Sequence, residues 1–158
     1  MVRCSMASPF RGWLQEGGVE NDGVAIFLRR GEAAALVFGL DVALTALVAG
    51  DRVVIGLFQG GLGAWVAAAR GGEPPVGPDP WDAQVLAARE GTAGAHVREA
   101  LASCRMFGGA RFEVLACGGD AERLGLDPDA LVAEGVVDDV VGLPTLWRRA
   151  RSLATLGL

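Results

Sequence analysis

The chain has 158 residues, enough for one domain with a full hydrophobic core, and it carries 14 basic against 19 acidic side chains for a net charge of −5. All the basic residues are arginine, histidine occurs once, and the three cysteines form no CxxC pair. These counts exclude lysine Schiff-base chemistry, a lysine-dependent phosphate loop, a multi-histidine metal centre and a disulfide framework, and a pI of about 4.8 argues against neutralising nucleic-acid phosphates.

Residues 1–21 mix Ser, Pro, Gly and charges without period and read as an irregular extension that contains Cys4; residues 22–158 read as the domain. The extension has no apolar stretch of signal-peptide length, so a cytoplasmic protein with reduced thiols is the expectation. "GVAIFLRR" (residues 23–30) is a continuous apolar run of the kind that forms a buried parallel strand. The next run, "AAALVFGLDVALTALVAG", helps raise the mean hydropathy to +0.36. Asp41 stands in its middle, and a charge at the centre of a membrane span costs roughly 2.5–3.5 kcal/mol. The run is therefore expected to be a buried helix ending near Gly50, and the apolar excess to be buried in an oligomer instead of a membrane.

"DRVVIGLF" (residues 51–58) is a second buried strand, followed by the glycine loop "QGGLG" and a short helix. "EPPVGPDP" holds four prolines in eight residues and must be a loop. A helical pattern then runs from Trp81 to about Phe107, interrupted near Gly91–Gly94, with Val97, Leu101 and Cys104 on one face. "ARFEVLAC" is the third strand. A short helix passes through "DAERLG", another starts at Asp127-Pro128, and "VVDDVVG" is a weaker fourth strand. "LPTLWRRARSLATLG" reads as a closing amphipathic helix. Strands alternating with helices predict a single-domain α/β fold, an open parallel sheet with helices on both faces, flavodoxin-like in kind. The commonest order for such sheets makes the first and third strands neighbours at the switch point, where ligands gather outside the strands' carboxyl ends.

Cys117 ends the third strand and precedes Gly118, Gly119 and Asp120 at a helix start. Two readings stand side by side. It is a small core residue at a strand end, or it is a thiol activated by the helix N-terminus and by Arg29, Arg30 and Gly31 at the end of the first strand. As an N-cap, Asp120 would take the helix donors and disfavour a thiolate. Cys104 is expected in the core, roughly 20 Å of strand away from Cys117 and beyond disulfide reach. Gly60 and Gly61 occupy the place of an anion-cradling loop but lack the full GxGxxG spacing, and a tight turn with close helix packing fits them better. His96 reads as solvated, Asp138-Asp139 as a strand-end charge pair and no metal site. Trp65, Trp81 and Trp147 read as core packing, with a pocket or interface as the alternative. No cofactor and no metal is called for.

"VAIFLRRGEAAALVFGLDVALTALVAGDRVVIGLF", a glycine loop, and then "FEVLACGGDAERLGLDPDALVAEGVVDDVVGLPTLWRRA" together resemble the DsrE/DsrF-like family of sulfur-relay, peroxiredoxin-like proteins over residues 23–155. The resemblance implies an open parallel sheet of about five strands and a homo-oligomer, a trimer or hexamer. It also implies a persulfide on the cysteine that ends the third main strand, which is Cys117 here, and a partner protein in a sulfur relay. A single carrier thiol suffices for relay chemistry. The extension and "GGEPPVGPDPWD" depart from the family pattern.

Overall fold

The computed structural model describes residues 22–158; the extension at residues 1–21, with Cys4, lies outside them. Three apolar runs become six-residue strands: β1 (Gly23–Leu28), β2 (Arg52–Leu57) and β3 (Phe112–Cys117). The chain passes from β1 to β2 through α1 (Ala33–Val48). Between β2 and β3 it forms α2 (Gln59–Ala69), α3 (Pro80–Ala87) and α4 (Ala93–Gly108). After β3 come α5 (Gly118–Arg123), α6 (Pro128–Ala133), β4 (Asp139–Val141), α7 (Leu143–Ala150) and β5 (Ala154–Gly157). Several helix starts are fixed locally. Asp79 and Asp127 each accept the backbone N–H two residues on, at 2.9 and 3.0 Å, with proline at the first helical position. Thr92 accepts from the Ala95 N–H at 3.2 Å.

All the strands run parallel, in the order β4-β3-β2-β1-β5. The expected adjacency of the first and third strands is not found, because β2 lies between them. Each crossover from β1 to β4 steps the same way across the sheet, so right-handed connections put α1, α2, α4 and α5 on one face. The last crossover reverses, from β4 to the free edge of β1, and the same handedness rule puts α7 on the other face.

The closing helix ends earlier than the amphipathic pattern implies. It stops at Ala150, and residues 154–157 form β5 along the edge of β1. Without it that edge would present a row of unpaired N–H and C=O groups. The ladder is completed by Leu158 N–H to Phe27 O and Arg29 N–H to Leu158 O, both 2.8 Å.

The two faces carry separate cores. On the first, Leu36, Leu40 and Leu47 of α1, Trp65 of α2 and Val97 of α4 pack on Ile26, Ile55 and Val114. Trp65 is fully buried, and its Nε1–H donates to Val136 O at 3.0 Å. On the second face Ala25, Val54, Leu115 and Val141 are covered by Leu146 and Ala150 of α7 and by Leu153. Asp41 lies at the surface of α1 and pairs with Arg89 at 2.7 Å. Among the described residues no helix is long and apolar enough to cross a membrane.

Candidate functional site

In an open sheet the ligand crevice lies where the strand order reverses, which here is between β1 and β5. The loops after β3 and β4 also part, β3 leading to α5 on the first face and β4 to α7 on the second, but at the opposite edge of the sheet. Cys117 is the last residue of β3 and pairs in register with Val141, the last of β4. It is half-buried and free, and it serves as N-cap of α5 with no side chain capping the turn that Gly118 and Gly119 begin. By the two-residue alternation of a strand, Cys117 shares the α7 face with Leu115 and Glu113.

One residue beyond the paired Leu28, Leu57 and Ala116, the sheet carries a row of three: Arg29, Phe58 and Cys117. Arg29 and Cys117 therefore share a face and a level, but Phe58 of the middle strand stands between them. Two strand spacings put about 9–10 Å between their backbones. The expected meeting of arginine and thiol is thus interrupted by an aromatic ring. Arg30 is engaged elsewhere: Glu32 takes its guanidinium at 3.0 Å, which holds the Glu32 carboxyl below its ordinary range.

Asp120 does not cap its own helix. Its side chain is 6% exposed as a residue and turns to α2, accepting the Gln59 N–H at 3.1 Å on one oxygen and Arg123 at 2.8 Å on the other. Gln59 is the one non-glycine residue with positive φ, at 45°, among the described residues. The glycines beside it serve close packing. A Cβ on Gly61 would stand 2.3 Å from Leu28 O, and one on Gly31 would stand 2.7 Å from Gly60 O. The Gly61 N–H is already given to Arg29 O at 3.0 Å. With the N–H groups of Gln59 and Gly61 both engaged, the first turn of α2 is not an open anion cradle.

At the Arg29–Phe58 end of the row the α7 face opens into a cleft of about 310 Å³. Phe27 and Phe58 meet edge to face there, with ring centroids 5.7 Å apart at 85°. Gly56 makes this possible, since a Cβ on it would lie 2.8 Å from the Phe27 ring. Leu146 is buried beneath, Leu143 and Trp147 form an exposed wall, and Arg29 and Gln59 supply the polar edge. Trp147 is 59% exposed and Trp81 71%, so the core reading of the tryptophans holds for Trp65 alone among the three. Sequence reasoning missed Phe58 and Gln59 as site residues. The signal available was weak: a bulky and an amide residue directly before two glycines at a strand's carboxyl end.

Cys104 is fully buried, lies 3.8 Å from Leu40 O, and its thiol is pushed up to about 12, by burial first and by the Asp41 charge second. Asp138 and Asp139 point to opposite faces. Asp138 takes Arg105 of α4 and the Val114 N–H, whereas Asp139 takes Arg149 of α7, which also binds Glu113. His96 is half-buried, and its Nε2 is out of solvent without a partner. Among the described residues no group of His, Cys, Asp and Glu is placed to hold a metal ion. Compared with protein-family models and with curated proteins, the chain has no match.

Proposed function

We propose that the protein is a DsrE-like sulfur carrier that holds a persulfide on Cys117. The observation that carries the reading is the setting of that thiol: half-buried and free, at the point where the β3 and β4 loops part, on a helix turn that no side chain caps. The backbone amides of Gly118 and Gly119, not the arginines, are then the groups that favour a thiolate. Asp120 does not compete for them, because its carboxylate is spent on Gln59 and Arg123.

The chemistry is two thiolate exchanges. The Cys117 thiolate attacks the outer sulfur of a donor persulfide, the donor's S–S bond breaks, and the donor leaves as a thiolate. An acceptor thiolate then attacks the outer sulfur on Cys117, takes it, and releases Cys117 as thiolate. No net oxidation occurs and no cofactor is needed. A reducing cytoplasm is the compartment that suits it, with a second relay protein as donor or acceptor.

Homo-oligomer formation, as a trimer or hexamer, belongs to the same proposal. Phe38, Val76 and Trp81 toward one end of α1, and Val48, Met106 and Phe107 toward the other, leave large apolar side chains in water. Light scattering of the full chain would read the mass directly.

Loading the protein with a small organic persulfide and then adding cyanide tests the carrier role. In a Cys4→Ser background, thiocyanate should be released stoichiometrically by the otherwise unchanged chain and by Cys104→Ser, and not by Cys117→Ser. Equal release from Cys117→Ser would sink the reading. A second reading is a non-catalytic oligomeric protein of the same fold that binds a small ligand or partner. It is favoured by one observation, the apolar cleft at the far end of the Arg29–Phe58–Cys117 row.

A further inference from the structure

We infer that this cleft binds a small aromatic monocarboxylate, with Arg29 as its counter-ion and Gln59 as a second polar contact. The inference rests on the second reading above, that the cleft holds a ligand, and is independent of chemistry at Cys117. At about 310 Å³ the cleft is at the small end of ligand sites and matches a single ring with a short acidic arm. Phe27 and Phe58 already stand edge to face, and a third ring placed against them and Trp147 would extend that contact. Trp147 and Leu143, largely exposed, would be the side chains that gain cover.

The polar edge is built and unspent. Arg29 makes no ion pair among the described residues, although its neighbour Arg30 is taken by Glu32. The Arg29 backbone is fixed on both sides, by Leu158 O on its N–H at 2.8 Å and by the Gly61 N–H on its carbonyl at 3.0 Å. The guanidinium it carries at the cleft edge is a fork that suits a carboxylate. Gln59 adopts a backbone that a glycine would take without cost, and the buried Asp120 carboxylate holds it there. The strain places a side chain that can both donate and accept at the edge of the cleft. A phosphate fits less well. It carries more charge than one guanidinium offsets, and two of the first-turn amides that would cradle it are engaged.

Heteronuclear NMR titration of the full chain tests this, with the Trp147 indole N–H assigned through Trp147→Phe. The probes are phenylacetate, 3-phenylpropionate and indole-3-acetate, their neutral amides, and inorganic phosphate. The expected result is a saturable shift of the Trp147 indole and the Gln59 side-chain amide with at least one carboxylate, at a Kd below about 1 mM. Its amide and the exposed-site variant Arg29→Gln should each bind about tenfold more weakly or worse, and Cys117→Ser should bind unchanged. If the amides or phosphate bind as well as the acids, or Arg29→Gln changes nothing, the carboxylate inference fails while the cleft remains a ligand site. If no probe moves these signals up to about 10 mM, or if they move with protein concentration alone, the inference and the ligand reading of the cleft fall together.

Discussion

On one side of the sheet, α1, α2 and α4 close over β1–β3 and bury Ile26, Ile55, Val114 and Trp65 completely. On the other side α7 is the one helix, among the described residues, that contributes to the core, and what it leaves open at the strands' carboxyl ends is the cleft, Arg29 and Cys117. The contrast follows from connectivity. Three crossovers in one direction stack helices on the first face, and one reversal supplies the second with a single eight-residue helix. A face with so little cover is a poor place to store stability and a good place to leave groups accessible.

The sharpest way to break that contrast is to remove a tryptophan from each face. Trp65→Ala should lose about 3–5 kcal/mol in denaturant unfolding, from the cavity and from the carbonyl of Val136 left without its donor. Trp147→Ala should fall within about 0.5 kcal/mol of wild type. Similar losses at both positions would mean that the second face is packed as firmly as the first.

Asp120 tests the link between the faces, since it sits on the first and fixes Gln59 at the edge of the second. Asp120→Ala strips the Gln59 N–H of its buried acceptor and should cost about 1–3 kcal/mol. It should also shift the Phe58 and Gln59 resonances while leaving those around Trp65 in place.

A further effect is read at Cys104 by alkaline pH. The Cys104 thiol, held up to about 12, stays protonated in the fold where an unfolded thiol ionises near its ordinary value of 9. Between those values the unfolded chain binds fewer protons, so the contribution is intact below pH 9 and is lost as pH rises toward 12. The expected slope is at most about 1.4 kcal/mol per pH unit, and Cys104→Ala should abolish it. An unchanged slope in that variant would assign the alkaline loss to other groups.

Much of the first face was legible in the sequence. Continuous apolar runs marked β1, β2 and β3, and the Asp127 cap with Pro128 marked a helix start because both partners are neighbours in the chain. The Asp79 and Thr92 caps were hidden inside a proline-rich loop and a glycine interruption. The position of Cys117 at a strand end was legible for the same reason. Strand order was not, since nothing local distinguishes which edge a crossover returns to. β5 was hidden because Ala154–Gly157 continues the amphipathic pattern of α7, and only the bare edge of β1 turns it into a strand. The Asp120–Gln59 contact spans 61 positions, and the cleft is assembled from β1, β2 and α7, so neither left a local trace.

The most direct measurement of the central claim is intact-mass spectrometry of the native protein after exposure to a persulfide donor, using wild type, Cys104→Ser and Cys117→Ser, with peptide mapping to separate Cys4. The account predicts one added, reducible sulfur on Cys117 in wild type and in the Cys104 variant, and none on Cys104 in any of them. A native Cys117 that stays unmodified while the denatured chain accepts sulfur there would contradict it, and would make Cys117 a structural residue at the end of β3.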